Sequence, residues 1–319
     1  MNANQKSAQG LETLGADQRK PNSYMIPASE LAVKQIPPKK PILLPWLFDR
    51  NLVMVYAWRG VGKSWFTLEI ANAVARGTSF IGWEAPQSRR VLYIDGEMTA
   101  NDLQERLRAI NTRYNNELTD PEKFVFFSGA VNDLATPNLL DTKTQETVFR
   151  VCVMFDLIII DNLSCLFRGG GNENDSTFAD PIIGFLLKLR SLGKSVIVIH
   201  HAGKNNQQRG TSKKEDILDV VINLEGHESL ATGQSNRFSI LFKKNRSAKN
   251  CRNMDVEMTE VDNGVWWSFD NYSHTDSKKD PLLDLAHLKE LPAQGLSAKE
   301  ISLKLSMGES TIYRKLKQI

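Results

Sequence analysis

The stretch from Leu52 to Ser64 constrains this chain more than any other. Six consecutive apolar, β-prone residues at 52–57 (LVMVYA) run directly into Trp58-Arg59-Gly60-Val61-Gly62-Lys63-Ser64, and helical sequence follows at 64–75. A short run that is apolar at every position suits a strand buried on both faces, which occurs in sheets covered by helices on either side. Similar runs recur at 91–94, 157–160 and 196–199, with helix-like stretches at 64–75, 101–110 and 182–192. Alternating strands and helices, joined by connections long enough for parallel crossovers, predict an open α/β sheet. After Leu224 the pattern turns to strands alone. Those at 238–242 and 265–269 flank a polar, basic turn region and are expected to extend the sheet along one edge.

Length and composition set the frame. A chain of 319 residues allows about two domains and a sizeable core. Residues 1–40, aperiodic and ending in a proline- and lysine-rich run, read as a flexible N-terminal arm. The α/β domain is assigned to 41–270, a polar linker to 271–280, and a small all-α domain to 281–319. The three cysteines, Cys152, Cys165 and Cys251, fit neither a metal knuckle nor a disulfide scaffold, which points to a reducing cytoplasm. No apolar run approaches the ~18 residues of a membrane span, and the N-terminus lacks the order of a secretory signal, so no membrane partner is expected. A net charge of +3 is too small to argue nucleic-acid binding by itself.

The glycine turn carries the first chemistry. Ala57 to Ser64 (AWRGVGKS) matches the phosphate-binding pattern GxxxxGK[ST] except that Ala57 stands at the first glycine position. Such a loop turns backbone N–H groups toward phosphate oxygens at a helix N-terminus, its lysine reaches the outer phosphates, and its hydroxyl serves Mg²⁺. The expected nucleotide-binding set is therefore Arg59, Gly60, Val61, Gly62, Lys63, Ser64 and Trp65, with ATP and Mg²⁺ as cofactors. Alanine at position 57 is acceptable provided φ there stays negative. Asp161 ends the apolar run DLIIID, which sets a carboxylate at the C-terminal edge of a strand, where open α/β sheets bind ligands. With Ser64 it is the expected Mg²⁺ ligand. Glu97, in YIDGEMT, follows a strand expected to neighbour the phosphate-loop strand and is the candidate base for an attacking water. Asp95 competes for that role, but Asp95 and Gly96 read as turn chemistry.

Together these features resemble the RecA-like ATPases, specifically the RepA-type hexameric helicases of plasmids and the related RepA-like ATPases, over roughly residues 41–250. The motifs that carry the resemblance are AWRGVGKS, YIDGEM, LIIIDNLS at 157–164, VIVIHHAGK at 196–204 and RGTS at 209–212. It implies a RecA-like core with a mostly parallel sheet and a γ-phosphate sensor at His200, with His201 beside it. It also implies that Lys244 and Arg246, within KKNR at 243–246, reach into the ATP site of a neighbouring subunit in a homohexameric ring. Arginine suits that task because its planar fork meets phosphate oxygens and keeps its charge.

Two loops are expected to face DNA. One, FRGGGNEND at 167–175, carries Arg168; the other, at 202–214, carries Lys204, Arg209, Lys213 and Lys214. Neither has an aromatic ladder, so contact with the backbone of a single strand is the expectation. The C-terminal sequence GLSAKEISLKLSMGESTIYRKLKQI resembles a bacterial helix-turn-helix, with Arg314 and Lys315 on a basic face suited to duplex DNA. The combined expectation is an ATP-hydrolysing DNA-associated motor, a replicative helicase of a plasmid or other mobile element. The alternative is an ATP-regulated DNA-binding regulator that unwinds nothing. A small-molecule kinase would leave KKNR and the loops without a task.

Overall fold

The computed structural model describes residues 25–169, 176–203, 215–227, 235–247, 251–261 and 263–271. The described residues divide between Lys40 and Pro41 into two units. In the first, α1 (Ala28–Val33) buries no side chain, and Met25, Leu31 and Val33 are exposed.

The second unit runs through β1 (Pro41–Leu43), β2 (Leu47–Phe48), β3 (Leu52–Ala57), α2 (Lys63–Arg76), β4 (Ser79–Phe80), β5 (Trp83–Glu84), β6 (Val91–Asp95), α3 (Ala100–Thr112), β7 (Phe124–Ser128), α4 (Thr142–Cys152), β8 (Leu157–Asp161), α5 (Leu163–Leu166), α6 (Ser176–Ser191), β9 (Ser195–His201), β10 (Val220–Gly226), β11 (Ser235–Asn245), β12 (Met254–Val261) and β13 (Gly264–Asn271). Nine of these strands form one sheet in the order β13-β12-β11-β10-β3-β9-β8-β6-β7. The six from β10 to β7 are parallel, and β11, β12 and β13 continue the sheet as an antiparallel meander.

The apolar runs are continuous because both faces are covered. Along β3, Val53, Val55 and Ala57 face α2, while Leu52, Met54 and Tyr56 join the cluster built with Phe155, Phe185 and Leu189 on the opposite face. Phe66 of α2 meets Phe80, Trp83 and Phe238 at ring distances of 5.9, 5.9 and 6.4 Å, so the same helix that starts at the phosphate loop also holds the meander. Each such fully buried side chain contributes roughly 1.5–3 kcal/mol.

Three features depart from the sequence expectations. The segment between the two expected late strands contains a further strand, β12, so the meander has three strands. Strand β7 and helix α4 fell between the strong apolar runs. Strand β6 does not adjoin β3: β9 and β8 lie between them, because the chain returns from α6 to the slot beside the phosphate-loop strand.

Glu69, in the middle of α2, is buried against the Arg113 guanidinium and accepts the indole N–H of Trp267 at 2.8 Å. Burial outweighs both partners and pushes its carboxyl from 4.5 up to about 7. A carboxyl that binds its proton more tightly when folded stabilises the fold at low pH, and the contribution is lost as pH rises from about 4.5 to about 7. The loss amounts to about 3 kcal/mol. Glu69→Gln should therefore flatten the fall in unfolding free energy between pH 5 and pH 8, measured by denaturant titration. Identical pH slopes in the two proteins would refute the assignment.

Candidate functional site

The phosphate loop leaves β3 at Ala57, which lies within the strand at negative φ, as required for alanine at that position. Gly60 and Gly62 take φ of 81° and 107°, conformations that glycine adopts without strain. Gly62 ends the loop as the N-cap of α2, and the N–H of Phe66 returns to its carbonyl at 2.9 Å. Lys63 is buried, and its Nζ donates to the carbonyls of Ala57 (3.2 Å) and Trp58 (2.9 Å). Burial lowers its pKa, while Asp161 and Glu97 act the other way. The loop thus combines a helix N-terminus, two left-handed glycines and a lysine beside them, a cradle for anionic oxygens.

Asp161 ends β8 in register with Asp95 at the end of β6. It is buried, accepts the Tyr93 hydroxyl at 2.7 Å and is hydrogen-bonded by Ser64. Burial pushes its carboxyl up to about 6 against those two hydrogen bonds. Tyr93, to which the sequence assigned no role, is in turn 3.1 Å from Thr67 Oγ1 of α2 and so braces β6, β8 and α2 together. Asp95 accepts the N–H groups of Glu97 (3.5 Å) and Met98 (3.3 Å) and the Ser128 hydroxyl (3.1 Å). It organises the turn, as its sequence position suggested.

Glu97 emerges from that turn with its side chain about half exposed. A capping box follows, in which the Thr99 hydroxyl accepts the N–H of Asp102 at 3.2 Å and starts α3. The Glu97 carboxylate accepts from Asn162 Nδ2, and its Oε2 lies 3.9 Å from His201 Nε2. The two histidines that end β9 are placed differently. His200 is buried within β9, whereas His201 lines the cleft, since successive strand side chains point to opposite faces.

A cleft of about 310 Å³ joins Lys63, Ser64, Glu97 and His201 with Arg59 and Trp65. A second, about 700 Å³, continues past Trp65 between α3 and the β12–β13 turn. The Arg106 guanidinium, on the rim of both, lies 5.1 Å over the Trp65 ring. Arg106, Asn162 and Tyr93 were missed by sequence reasoning. For Arg106 the available signal was its place on the polar face of the helix that follows Glu97.

Lys244 and Arg246 lie elsewhere. Register with β10 sets them at the start of the parallel strands, opposite the phosphate-loop edge. There the Lys244 ammonium bonds the Glu215 carbonyl, and the Arg246 N–H donates to the Asp219 carbonyl at 2.8 Å. The Arg168 guanidinium donates to the Thr136 carbonyl at 2.6 Å. Lys204, Arg209, Lys213, Lys214, Arg314 and Lys315, and with them the helix-turn-helix, lie outside the described residues.

Residues 20–207 match the family described as AAA domain, well over half of the chain. The chain belongs to that family. Among solved structures it is similar to a KaiC-like protein of the archaeon Pyrococcus horikoshii, at 15% identity and a TM-score of 0.50, covering 71% of this chain and 93% of that one. It also matches the flagellar accessory protein FlaH of Methanocaldococcus jannaschii, at 13% identity and a TM-score of 0.48, covering 69% and 90%. No curated protein matches. Family, sheet and loop together make this AAA domain chain a RecA-like P-loop ATPase.

The residues fit ATP with Mg²⁺. Ser64 and Asp161 bring a hydroxyl and a carboxylate together, the hard oxygen donors that Mg²⁺ takes. Among the described residues no group of three or more His, Cys, Asp or Glu is placed to hold a metal alone. A cation here would complete its shell with phosphate oxygens and water, as Mg²⁺ commonly does. Among these residues, too, no helix is long and apolar enough to cross a membrane.

Proposed function

We propose that this chain is an ATP-driven DNA motor working as a homohexameric ring, a RepA-like replicative helicase of a plasmid or other mobile element. The observation that carries the reading is the separation of its charged groups. The carboxylates and Lys63 meet at one edge of the sheet, while the cations of KKNR stand at the other, out of reach of their own cleft. A cationic pair so placed serves a nucleotide only across a subunit boundary, in a head-to-tail assembly.

In the mechanism, Lys63 and the loop N–H groups of Gly60 to Ser64 hold the outer phosphates. Glu97 takes the proton of the attacking water and keeps that water in line. His200, at the end of β9, is the sensor of the terminal phosphate, with His201 next to it lining the cleft beside Glu97. Ser64 and Asp161 would hold Mg²⁺, which would supply neutralisation of phosphate charge, and the neighbour's Lys244 and Arg246 stabilise the charge that spreads over the transferred group. The basic residues Arg168, Lys204, Arg209, Lys213 and Lys214 hold a single strand by its phosphates, and Arg314 and Lys315 contact duplex DNA.

A forked-DNA displacement assay tests the reading: strand release is expected with ATP and Mg²⁺ and none with a non-hydrolysable analogue. ATP-modulated binding to a duplex without release would replace the motor by a regulator. Hydrolysis with no response to DNA of either form would remove DNA from the account.

A further inference from the structure

We propose that Asn162 is a positioning residue whose single amide sets both the Glu97 carboxylate and the His201 ring at the phosphate cleft and ties them to helix α5. Its kinetic test rests on the ATPase reading above; its spectroscopic test does not.

Asn162 follows Asp161 and is fully buried. Its Oδ1 accepts the N–H of Cys165 at 3.1 Å and so caps α5. That bond decides which end of the amide faces the cleft, because a flipped amide would point its oxygen at the Glu97 carboxylate. The cleft therefore receives the Nδ2 group, which has two hydrogens. One goes to Glu97 Oε2, and the other is directed at His201 Nε2, 3.3 Å away. Since Asn162 offers only donors on that side, Nε2 must accept, and the His201 ring carries its hydrogen on Nδ1.

The link to α5 has a second strand. The Gly96 N–H donates to the Asp161 carbonyl at 2.8 Å, and a Cβ at Gly96 would lie 2.7 Å from both Cγ and Cδ2 of Leu166 in α5. The turn that presents Glu97 thus rests directly on α5, and the Leu166 carbonyl accepts the N–H of Leu139 at 2.6 Å. Two residues beyond Leu166, Arg168 is fastened to Thr136 and Asn138. A shift of α5 moves the Asn162 amide, the Gly96 contact, or both, and through them Glu97. Arg168 is in this way joined to the Glu97 turn by a continuous run of contacts.

Asn162→Asp and Asn162→Ser separate capping from positioning, because each keeps an oxygen for the Cys165 N–H but lacks the amide's pair of hydrogens. Asn162→Ser should melt within a few degrees of wild type, whereas Asn162→Asp, which sets a second carboxylate against Glu97 in a buried position, should melt lower while still folding. Their KM for ATP should stay within about threefold while kcat falls about 30-fold or more. Combining Asn162→Ser with His201→Ala should cost less than the product of the single losses. Independently of turnover, ¹⁵N NMR of the histidine-labelled protein should find His201, identified by its absence in His201→Ala, protonated on Nδ1 in wild type and as a tautomer mixture in Asn162→Ser. Wild-type kcat in the Asp and Ser variants, or His201 protonated on Nε2 in the unmodified protein, would overturn the proposal. If wild type hydrolyses no ATP, the motor reading fails, and the NMR result alone decides the role of Asn162.

Discussion

Replacing Lys63 by alanine is expected to reduce ATP turnover by about a thousandfold or more while the protein stays folded. The reason lies in what surrounds the ammonium. Asp95, Asp161 and Glu97 converge on the same strand edge, and Asp95 and Glu97 both help raise the Asp161 carboxyl. Lys63 is the buried cation facing them, held by the carbonyls of Ala57 and Trp58. Without it a triphosphate would enter a cleft where the carboxylates repel it, opposed by backbone N–H groups, a metal ion and the more peripheral Arg59 and Arg106 but by no ammonium at the loop itself. The fold should tolerate the change, since burial disfavours the charged ammonium and α2 is anchored by Phe66, Leu68 and Ile70. Phosphate release and binding of a fluorescent ATP analogue give the measurement, with thermal melting as the control. Turnover within tenfold of wild type in a normally melting variant would remove Lys63 from the phosphate site. Lys63→Arg should fail as well, because a planar fork does not fit two carbonyls arranged for a compact ammonium.

What the sequence made legible and what it hid follow from the same physics. Local signals sufficed for β3, β6, β8 and β9, since a strand buried on both faces is apolar at every position and needs no partner to be read. The same continuity erased the parity of the strand. Nothing in VIVIHH distinguishes His201, which lines the cleft, from its buried neighbour His200. Strand order was hidden for another reason: the long crossover through α6 does not record where β9 inserts, and β6 was expected beside β3. Helix α4 turns only Val148 and Cys152 fully inward, too narrow a stripe to stand out among its polar residues. In β12 the buried Val256 and Met258 alternate with Asp255 and Glu257, which disguised a paired strand as a polar turn. Asn162 and Tyr93 lie inside the motifs LIIIDNLS and YIDGEM, but their roles were not legible there because they depend on contacts with residues far away in sequence.

The second large effect concerns the opposite edge of the sheet. Arg246→Ala and Glu97→Ala are each expected to abolish turnover, and mixing the two inactive proteins is expected to restore it in part. Asn236, near the start of β11, lines the cleft, while Arg246 immediately follows the strand's last residue, Asn245. At about 3.4 Å per residue these ends are roughly 30 Å apart, far beyond the reach of an arginine side chain. The Arg246 N–H is also fastened to the Asp219 carbonyl, and Asp219 in turn accepts the N–H of Leu52 at the start of β3, so the distance is fixed by the sheet itself. Arg246 therefore cannot complete the site of its own chain. In a head-to-tail ring, a cleft from the Arg246→Ala chain beside an arginine from the Glu97→Ala chain is complete, and the reverse pairing lacks both. Random equal mixing makes about one quarter of the boundaries complete, so about a quarter of wild-type turnover is the expected recovery if boundaries act independently. Mixed rings verified by native mass measurement that hydrolyse no faster than the separate variants would show that the two residues do not share a site.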